Sequence, residues 1–138
     1  MNRPTYSSST RSSPLTLIAP VSQMVVPITA VTPGMSFNKT LWNKVGRAIG
    51  HEARALMNAG LAGSTFWAPV VNLAREPRWG RNVEVPGEDP YHSGQYARYF
   101  VNGFEDAPED PFHIQASACC KHYVANSMEA TKEPDGEE

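Results

Sequence analysis

Two short segments rich in β-forming residues are separated by a helical pattern, and this order restricts the possible folds more than any other feature of the chain. Residues 65–71 form the first segment, and Ile114 to Cys120 form the second. Between them, after a long loop, residues 90–104 carry an apolar stripe that begins with a Pro, as helices often do. A strand, a helix and a second strand in succession predict a parallel α/β arrangement.

A second amphipathic helix is predicted before the first strand. Apolar residues between positions 41 and 59 recur mainly at spacings of three and four. Ser36 or Asn38 is the expected N-cap, and Gly60 is the expected stop. Two glycines on one side of this helix should allow close packing against a neighbour: Gly46 and Gly50.

Length and charge exclude several classes of protein. The chain has 138 residues, with 12 basic and 14 acidic side chains and a net charge of −2. A complete (β/α)₈ barrel needs roughly 250 residues. The balanced charge gives no reason to expect a nucleic acid or an anionic membrane as a partner. No apolar run approaches the ~18 residues that a membrane helix needs.

Composition divides the chain into three segments. Residues 1–35 contain no Asp, Glu or Lys and are expected to be disordered, 36–128 carry the folded domain, and 129–138 form an acidic tail. The apolar stretch 15–28 resembles the core of a signal peptide, but its late position and Pro20 argue against one. The residues alone therefore assign no localisation.

The cysteines and histidines do not predict a metal site or any other cofactor site. Cys119 and Cys120 are adjacent, so they point to opposite faces of a strand, and a disulfide between them would be strained. We interpret them as small apolar residues of a buried strand. His51, His92 and His113 show no metal-ligand spacing with each other or with the cysteines.

The long loop that follows the first strand carries the first group of candidate binding residues. In parallel α/β folds, sites form beyond the carboxyl ends of the strands. Residues 72–89 mix Arg, Trp and carboxylate side chains, which could bind hydroxyls and stack on a sugar ring. Arg78 and Glu84 fit a loop-bracing role equally well, and a salt-bridged loop without a ligand stays an open alternative. Glu88 and Asp89 are interpreted as helix-start residues.

Lys121 and His122 form the second candidate group, because they follow the second apolar strand. Regular alternation would send these neighbours to opposite faces. Both can reach one ligand only if the backbone bends at that point. An arrangement with one residue in the site and one in the wall is the alternative.

A series of motifs follows in order along residues 36–123, and together they resemble a known family. The motifs are Ser36-Phe37-Asn38, Leu41-Trp42, Glu52-Ala53-Arg54-Ala55, Thr65-Phe66-Trp67-Ala68-Pro69, Pro77-Arg78-Trp79-Gly80-Arg81, Pro86-Gly87-Glu88-Asp89-Pro90 and Cys119-Cys120-Lys121-His122-Tyr123. In this series the chain resembles the N-terminal catalytic domain of glycoside hydrolase family 3, and most closely its β-xylosidase-like branch.

The resemblance implies a fold, an activity and a set of substrate-binding residues. Members of the family have a (β/α)₈ TIM-type barrel and cleave terminal β-linked sugars with retention, using two carboxyl groups roughly 5–5.5 Å apart. It implies that Arg81, Lys121 and His122 hold the hydroxyls of the non-reducing sugar of an oligosaccharide or xylan-derived substrate. It also implies secretion, which is common in this branch.

The family pattern places the nucleophilic Asp and the acid/base well after the Lys-His pair, and no Asp or Glu here matches either. We therefore expect a barrel fragment with alternating strands and helices that holds part of the sugar subsite and has no catalytic residues of its own. Hydrolysis by the isolated chain is not expected. An incomplete barrel exposes strand edges, which predicts low stability and weak binding.

Three alternatives remain beside this interpretation. The chain could be a non-catalytic sugar-binding or pseudoenzyme fragment, or it could complete its barrel with a complementing chain. Acid catalysis by Glu84 and Glu88 is the least favoured, because their places in the family pattern are structural. Xylose, arabinose and glucose are not distinguished as preferred sugars.

Overall fold

A computed structural model describes residues 29–128 of the chain. These residues form helices α1 (Val31–Gly34), α2 (Lys39–Asn58) and α3 (Pro90–Glu105), strands β1 (Thr65–Phe66) and β2 (Ser117–Ala118), and a 3₁₀ turn at Asn82–Glu84. The two strands pair in parallel, with Thr65 opposite Ser117 and Phe66 opposite Ala118. Helix α3 lies between them in the chain, so the predicted α/β arrangement is confirmed.

Helix α2 begins and ends where the sequence predicts. The Asn38 side chain accepts a hydrogen bond from the backbone N–H of Leu41 at 3.0 Å, and this satisfies one of the free donors of the first turn. Gly60 follows the helix with φ of +70° and donates its N–H to the carbonyl of Met57. Glycine adopts this left-handed conformation without steric cost, so the chain can leave the helix here.

Helix α3 is positioned by the end of the long loop. Asp89 is its N-cap and accepts from the His92 N–H at 2.6 Å, and Pro90 is the first helical residue. This arrangement confirms the interpretation of Asp89 as a helix-start residue. The cap fixes the direction in which the helix leaves the loop.

Close contact between α2 and α3 forms the main core. The predicted role of Gly46 is confirmed, because an added Cβ would lie 2.2 Å from the carbonyl oxygen of Phe100. A Cβ at Gly50 would lie 2.3 Å from the carbonyl oxygen of Phe104. The buried residues of this core are Trp42, Ala53, Tyr96, Phe100, Phe104 and Ala116.

The strands are shorter than the sequence predicts. Regular pairing covers only two residues on each strand, although single bonds continue the ladder to a bridge between Val70 and Lys121. Pro69 has no N–H to donate, which interrupts β1. Before β2, the N–H of Gln115 bonds to the carbonyl of Glu105 at the end of α3 rather than to a strand.

The boundaries of the three predicted segments stay predictions. Residues 1–28, which include the apolar stretch 15–28, and the predicted acidic tail 129–138 lie outside the described residues. Helix α1 falls inside the segment 1–35 that composition predicts to be disordered. It is held there by the Trp42 indole, which donates to the carbonyl of Pro33 at 2.6 Å. Among residues 29–128, no helix has the length and apolar character to cross a membrane.

Candidate functional site

Arg81 and Glu84 form a two-pronged ion pair across the 3₁₀ turn. Arg81 Nε and Nη2 donate to the two carboxylate oxygens of Glu84, each at 2.8 Å. The hydrogen bonds from Arg81 are the largest cause that lowers the pKa of Glu84, and the charges of Arg81 and Lys121 lower it further. Glu84 is therefore a carboxylate rather than a carboxylic acid at neutral pH.

His122 joins this pair from the other strand end. Its Nε2 lies 3.3 Å from Arg81 Nη2. On the other side of the ring, Asn72 Oδ1 lies 2.7 Å from the His122 backbone N and 3.0 Å from its Nδ1. The structure thus brings Arg81 and His122 together, as a shared binding site requires.

Lys121 lies between two cavities at the ends of the strands. Its backbone carbonyl accepts from the N–H of Val71 at 2.8 Å, which holds the end of the second strand against the first. A cavity of about 460 Å³ is lined by Lys121, His122 and Asn72, and another of about 480 Å³ by Lys121, Glu84 and Trp67. After Lys121 the backbone leaves the ladder and turns at residues 123–125.

The aromatic residue available to a ligand is not the one that the loop motif suggests. Trp79 is only 2% exposed and packs with Val70 and Val85, so its ring has no free face for a sugar. Trp67 is 73% exposed and lines the cavity that contains Lys121. Alternation along the strand explains this placement, because its neighbours Phe66 and Ala68 pack against the helices.

Other charged residues of the loop hold its shape. Arg78 donates to both carboxylate oxygens of Glu76, at 2.8 and 3.2 Å, and the Arg78 side chain is exposed. These hydrogen bonds lower the pKa of Glu76 to about 2. Asn82 donates to the Glu76 carbonyl at 2.8 Å. Loop bracing, one of the two roles considered for Arg78, is therefore its role in this structure.

The Arg81–Glu84 pair should make folding stability depend on pH. The lowered pKa of Glu84 means that the pair contributes stability above about pH 4.5 and loses it as pH falls through the lowered value. Glu84→Gln should therefore destabilise the chain more at pH 7 than at pH 3, by less than about 1 kcal/mol because the pair is partly exposed. Urea unfolding of both proteins at both pH values measures this. Added salt should reduce the destabilisation by Glu84→Gln at pH 7. An equal destabilisation at both pH values would contradict a stabilising Arg81–Glu84 ion pair.

The cysteines do not lie where the sequence predicts. Both cysteines are free. Cys119 is half-buried and Cys120 is exposed, and both follow the end of β2, so the interpretation of the pair as buried strand residues is wrong. Burial of its thiol group nevertheless raises the Cys120 pKa, so that the thiol stays protonated. Within residues 29–128, no group of three or more His, Cys, Asp or Glu could hold a metal ion.

Sequence reasoning missed two residues of this region. Asn72 is 8% exposed and contacts His122, whereas the sequence indicates only that it belongs to a polar loop. A polar residue between Val71 and Leu73 is the signal that could have identified it, since a buried amide needs specific partners. Trp67 was assigned only to the strand.

These features define an α/β domain with a cluster of three nitrogen-bearing side chains, Arg81, Lys121 and His122, near the carboxyl ends of two parallel strands. The sites of α/β enzymes lie at this end of the strands. The sequence profile of the glycosyl hydrolase family 3 N-terminal domain matches residues 23–134. The chain therefore belongs to glycoside hydrolase family 3.

The relatives of this chain include β-xylosidases from plants. β-D-xylosidase 1 of Arabidopsis thaliana is 44% identical over 99 residues, which cover 72% of this chain and 13% of that protein. β-Xylosidase/α-L-arabinofuranosidase 1 of Medicago sativa subsp. varia is 45% identical over 98 residues, with 70% and 13% covered. The chain thus spans about an eighth of the length of these relatives.

Two solved structures have folds similar to that of this chain. A family 3 exo-β-xylosidase in complex with a xylobiose aziridine activity-based probe superimposes with a TM-score of 0.68 and 32% identity, covering 73% of this chain and 13% of the other. The β-glucosidase of Listeria innocua gives a TM-score of 0.60 and 30% identity, covering 75% and 14%.

Proposed function

We propose that this chain forms part of the (β/α)₈-type barrel of a β-xylosidase-like retaining glycoside hydrolase, and that it binds the non-reducing sugar of a β-linked oligosaccharide. The parallel β1–β2 pair with α3 between them supports the barrel fragment. The relatives named as β-xylosidases support the xylose-type substrate.

One observation carries the assignment of the site. Arg81, which lies in the loop after β1, reaches within 3.3 Å of His122, which follows β2, although 41 residues separate them in the sequence. The family resemblance implies that Arg81, Lys121 and His122 form one sugar-binding group, and this proximity supports it for Arg81 and His122. Guanidinium, ammonium and imidazole nitrogens can bond several hydroxyls of one sugar ring, while the exposed Trp67 offers a stacking face.

Hydrolysis requires chemistry that this cluster does not supply. Of the described residues that line the two cavities at Lys121, Glu84 is the only one with a carboxylate. Its bonds to Arg81 lower its pKa, so it cannot hold the proton that a general acid must donate. A retaining glycosidase needs a second carboxyl group as nucleophile. These points favour sugar binding without catalysis as the function of the isolated chain. Such a chain is either a non-catalytic fragment or one that needs a complementing chain.

The test is an activity assay on the purified 138-residue chain. We expect no release of nitrophenol from aryl β-xylosides above the rate without protein, and the same result for Lys121→Ala. A full-length family 3 β-xylosidase serves as the positive control. Turnover by the wild-type chain that Lys121→Ala abolishes would show that the cluster belongs to a self-sufficient active site, and would overturn the non-catalytic proposal.

A further inference from the structure

Asn72 makes three hydrogen bonds beside the cluster from a buried position. Its Oδ1 faces two atoms of His122, the backbone N at 2.7 Å and the ring Nδ1 at 3.0 Å. Its Nδ2 donates to the carbonyl of Asn126 at 2.7 Å. Asn72 therefore bonds to both ends of the segment 122–126, which follows Lys121.

These contacts determine which way the Asn72 amide points. The backbone N–H of His122 can only donate, so the Asn72 atom facing it must be the oxygen. The carbonyl of Asn126 can only accept, so the atom facing it must be the NH₂ nitrogen. A flipped amide would lose both bonds, and the two contacts agree on one orientation.

The orientation of Asn72 in turn determines where the His122 ring carries its proton. Because Oδ1 is an acceptor, the ring Nδ1 that faces it must carry a hydrogen. On the opposite side, Arg81 Nη2 is only a donor and lies 3.3 Å from Nε2, so Nε2 must present its lone pair. Both contacts select the same neutral tautomer.

We propose that Asn72 is a positioning residue that holds His122 as the neutral imidazole with its proton on Nδ1, so that the Nε2 lone pair accepts from Arg81 and directs this guanidinium toward a sugar hydroxyl. The role in sugar binding rests on the proposed function, whereas the tautomer does not. The charged groups around the ring are Arg81 at Nε2, Glu84 paired with Arg81, the adjoining Lys121, and Arg75 in the wall of the same cavity. The Arg81 guanidinium donates toward Nε2, which leaves that nitrogen no acceptor for a second proton.

Nuclear magnetic resonance of the ¹⁵N-labelled 138-residue chain tests the tautomer directly. Spectra at about pH 8.5, well above the usual imidazole pKa of about 6.5, should show a protonated Nδ1 and an unprotonated Nε2 for His122, with assignment by His122→Gln. A proton on Nε2 in the wild-type chain would overturn the proposal.

Variants of Asn72 separate positioning from a general structural role. Asn72→Ala removes the acceptor and should reduce the Nδ1-protonated form from nearly all molecules to a minority. Asn72→Asp keeps the oxygen and should retain the Nδ1 proton. Asn43→Ala removes an amide hydrogen bond away from the site, from α2 to the Tyr99 carbonyl of α3 at 3.2 Å, and should leave His122 unchanged. An unchanged tautomer in a folded Asn72→Ala chain would contradict the proposal.

The sugar-binding function and the positioning role of Asn72 would be contradicted by different results. If Nδ1 carries the proton but xylobiose does not bind, the positioning role stands and the sugar-binding function is wrong. If xylobiose binds at the cluster but Nε2 carries the proton, the sugar-binding function stands and the positioning role is wrong.

Discussion

Gly103→Ala is expected to abolish or severely weaken cooperative folding of the chain. A Cβ at this position of α3 would lie 2.1 Å from the carbonyl oxygen of Asn43 and 3.0 Å from the backbone N of Arg47, both in α2. These are backbone atoms, so relief requires the two helices to separate. Overpacking of this kind costs about 1–3 kcal/mol or more, a large share of the stability of a small domain.

The same helix offers a matched control. A Cβ at Gly94 would meet no atom within 4 Å, and alanine favours a helix interior by about 1 kcal/mol over glycine. Gly94→Ala should therefore be as stable as the wild-type chain or more so. Urea unfolding followed by circular dichroism compares the variants. Equal stability of Gly103→Ala and wild type would mean that α2 and α3 do not pack as closely as described.

Arg81→Ala is expected to weaken xylobiose binding about tenfold to a hundredfold. Hydrogen bonds to charged groups contribute about 1.5–3 kcal/mol each, and Arg81 also orders Glu84 and contacts His122. The wild-type chain itself should bind weakly, with a dissociation constant on the order of 1 mM, or about −4 kcal/mol, because the site is open. Chemical-shift titration suits affinities in this range.

Arg78→Ala is the control for this effect. Arg78 lies in the same loop and makes an ion pair of similar geometry, but its partner is Glu76 and its side chain is 79% exposed. We expect binding by Arg78→Ala within about twofold of wild type. Equal losses in both variants would indicate that loop stability, and not contact with the sugar, explains the effect.

The helices and their ends could be predicted because their signals are local. Asn38 and Asp89 cap the helix that follows within three residues, and Gly60 stops α2 where the apolar pattern ends. The strand lengths could not be predicted in this way. They depend on partners across the ladder, and Gln115 bonds to the end of α3 instead of extending β2.

The candidate site was predictable in its charged residues and not in their neighbours. Position after a strand and a resemblance to a family were enough to name Arg81, Lys121 and His122. The exposure of Trp67 depends on the face of the ladder that it occupies, and the burial of Trp79 depends on its packing against Val70 and Val85. The contact between Asn72 and His122 joins residues 50 positions apart, and no local pattern encodes it.

The most direct test of the account is a titration of the isotope-labelled 138-residue chain with xylobiose, followed through its backbone and side-chain signals. We predict saturable shift changes centred on Arg81, Lys121 and His122, with the Trp67 indole also affected and no xylose released. Changes centred instead on a separate cavity, which is lined by Arg54 of α2 and by His113, would contradict the assignment of these three residues as a sugar-binding site. No saturable change in a folded chain would contradict it as well.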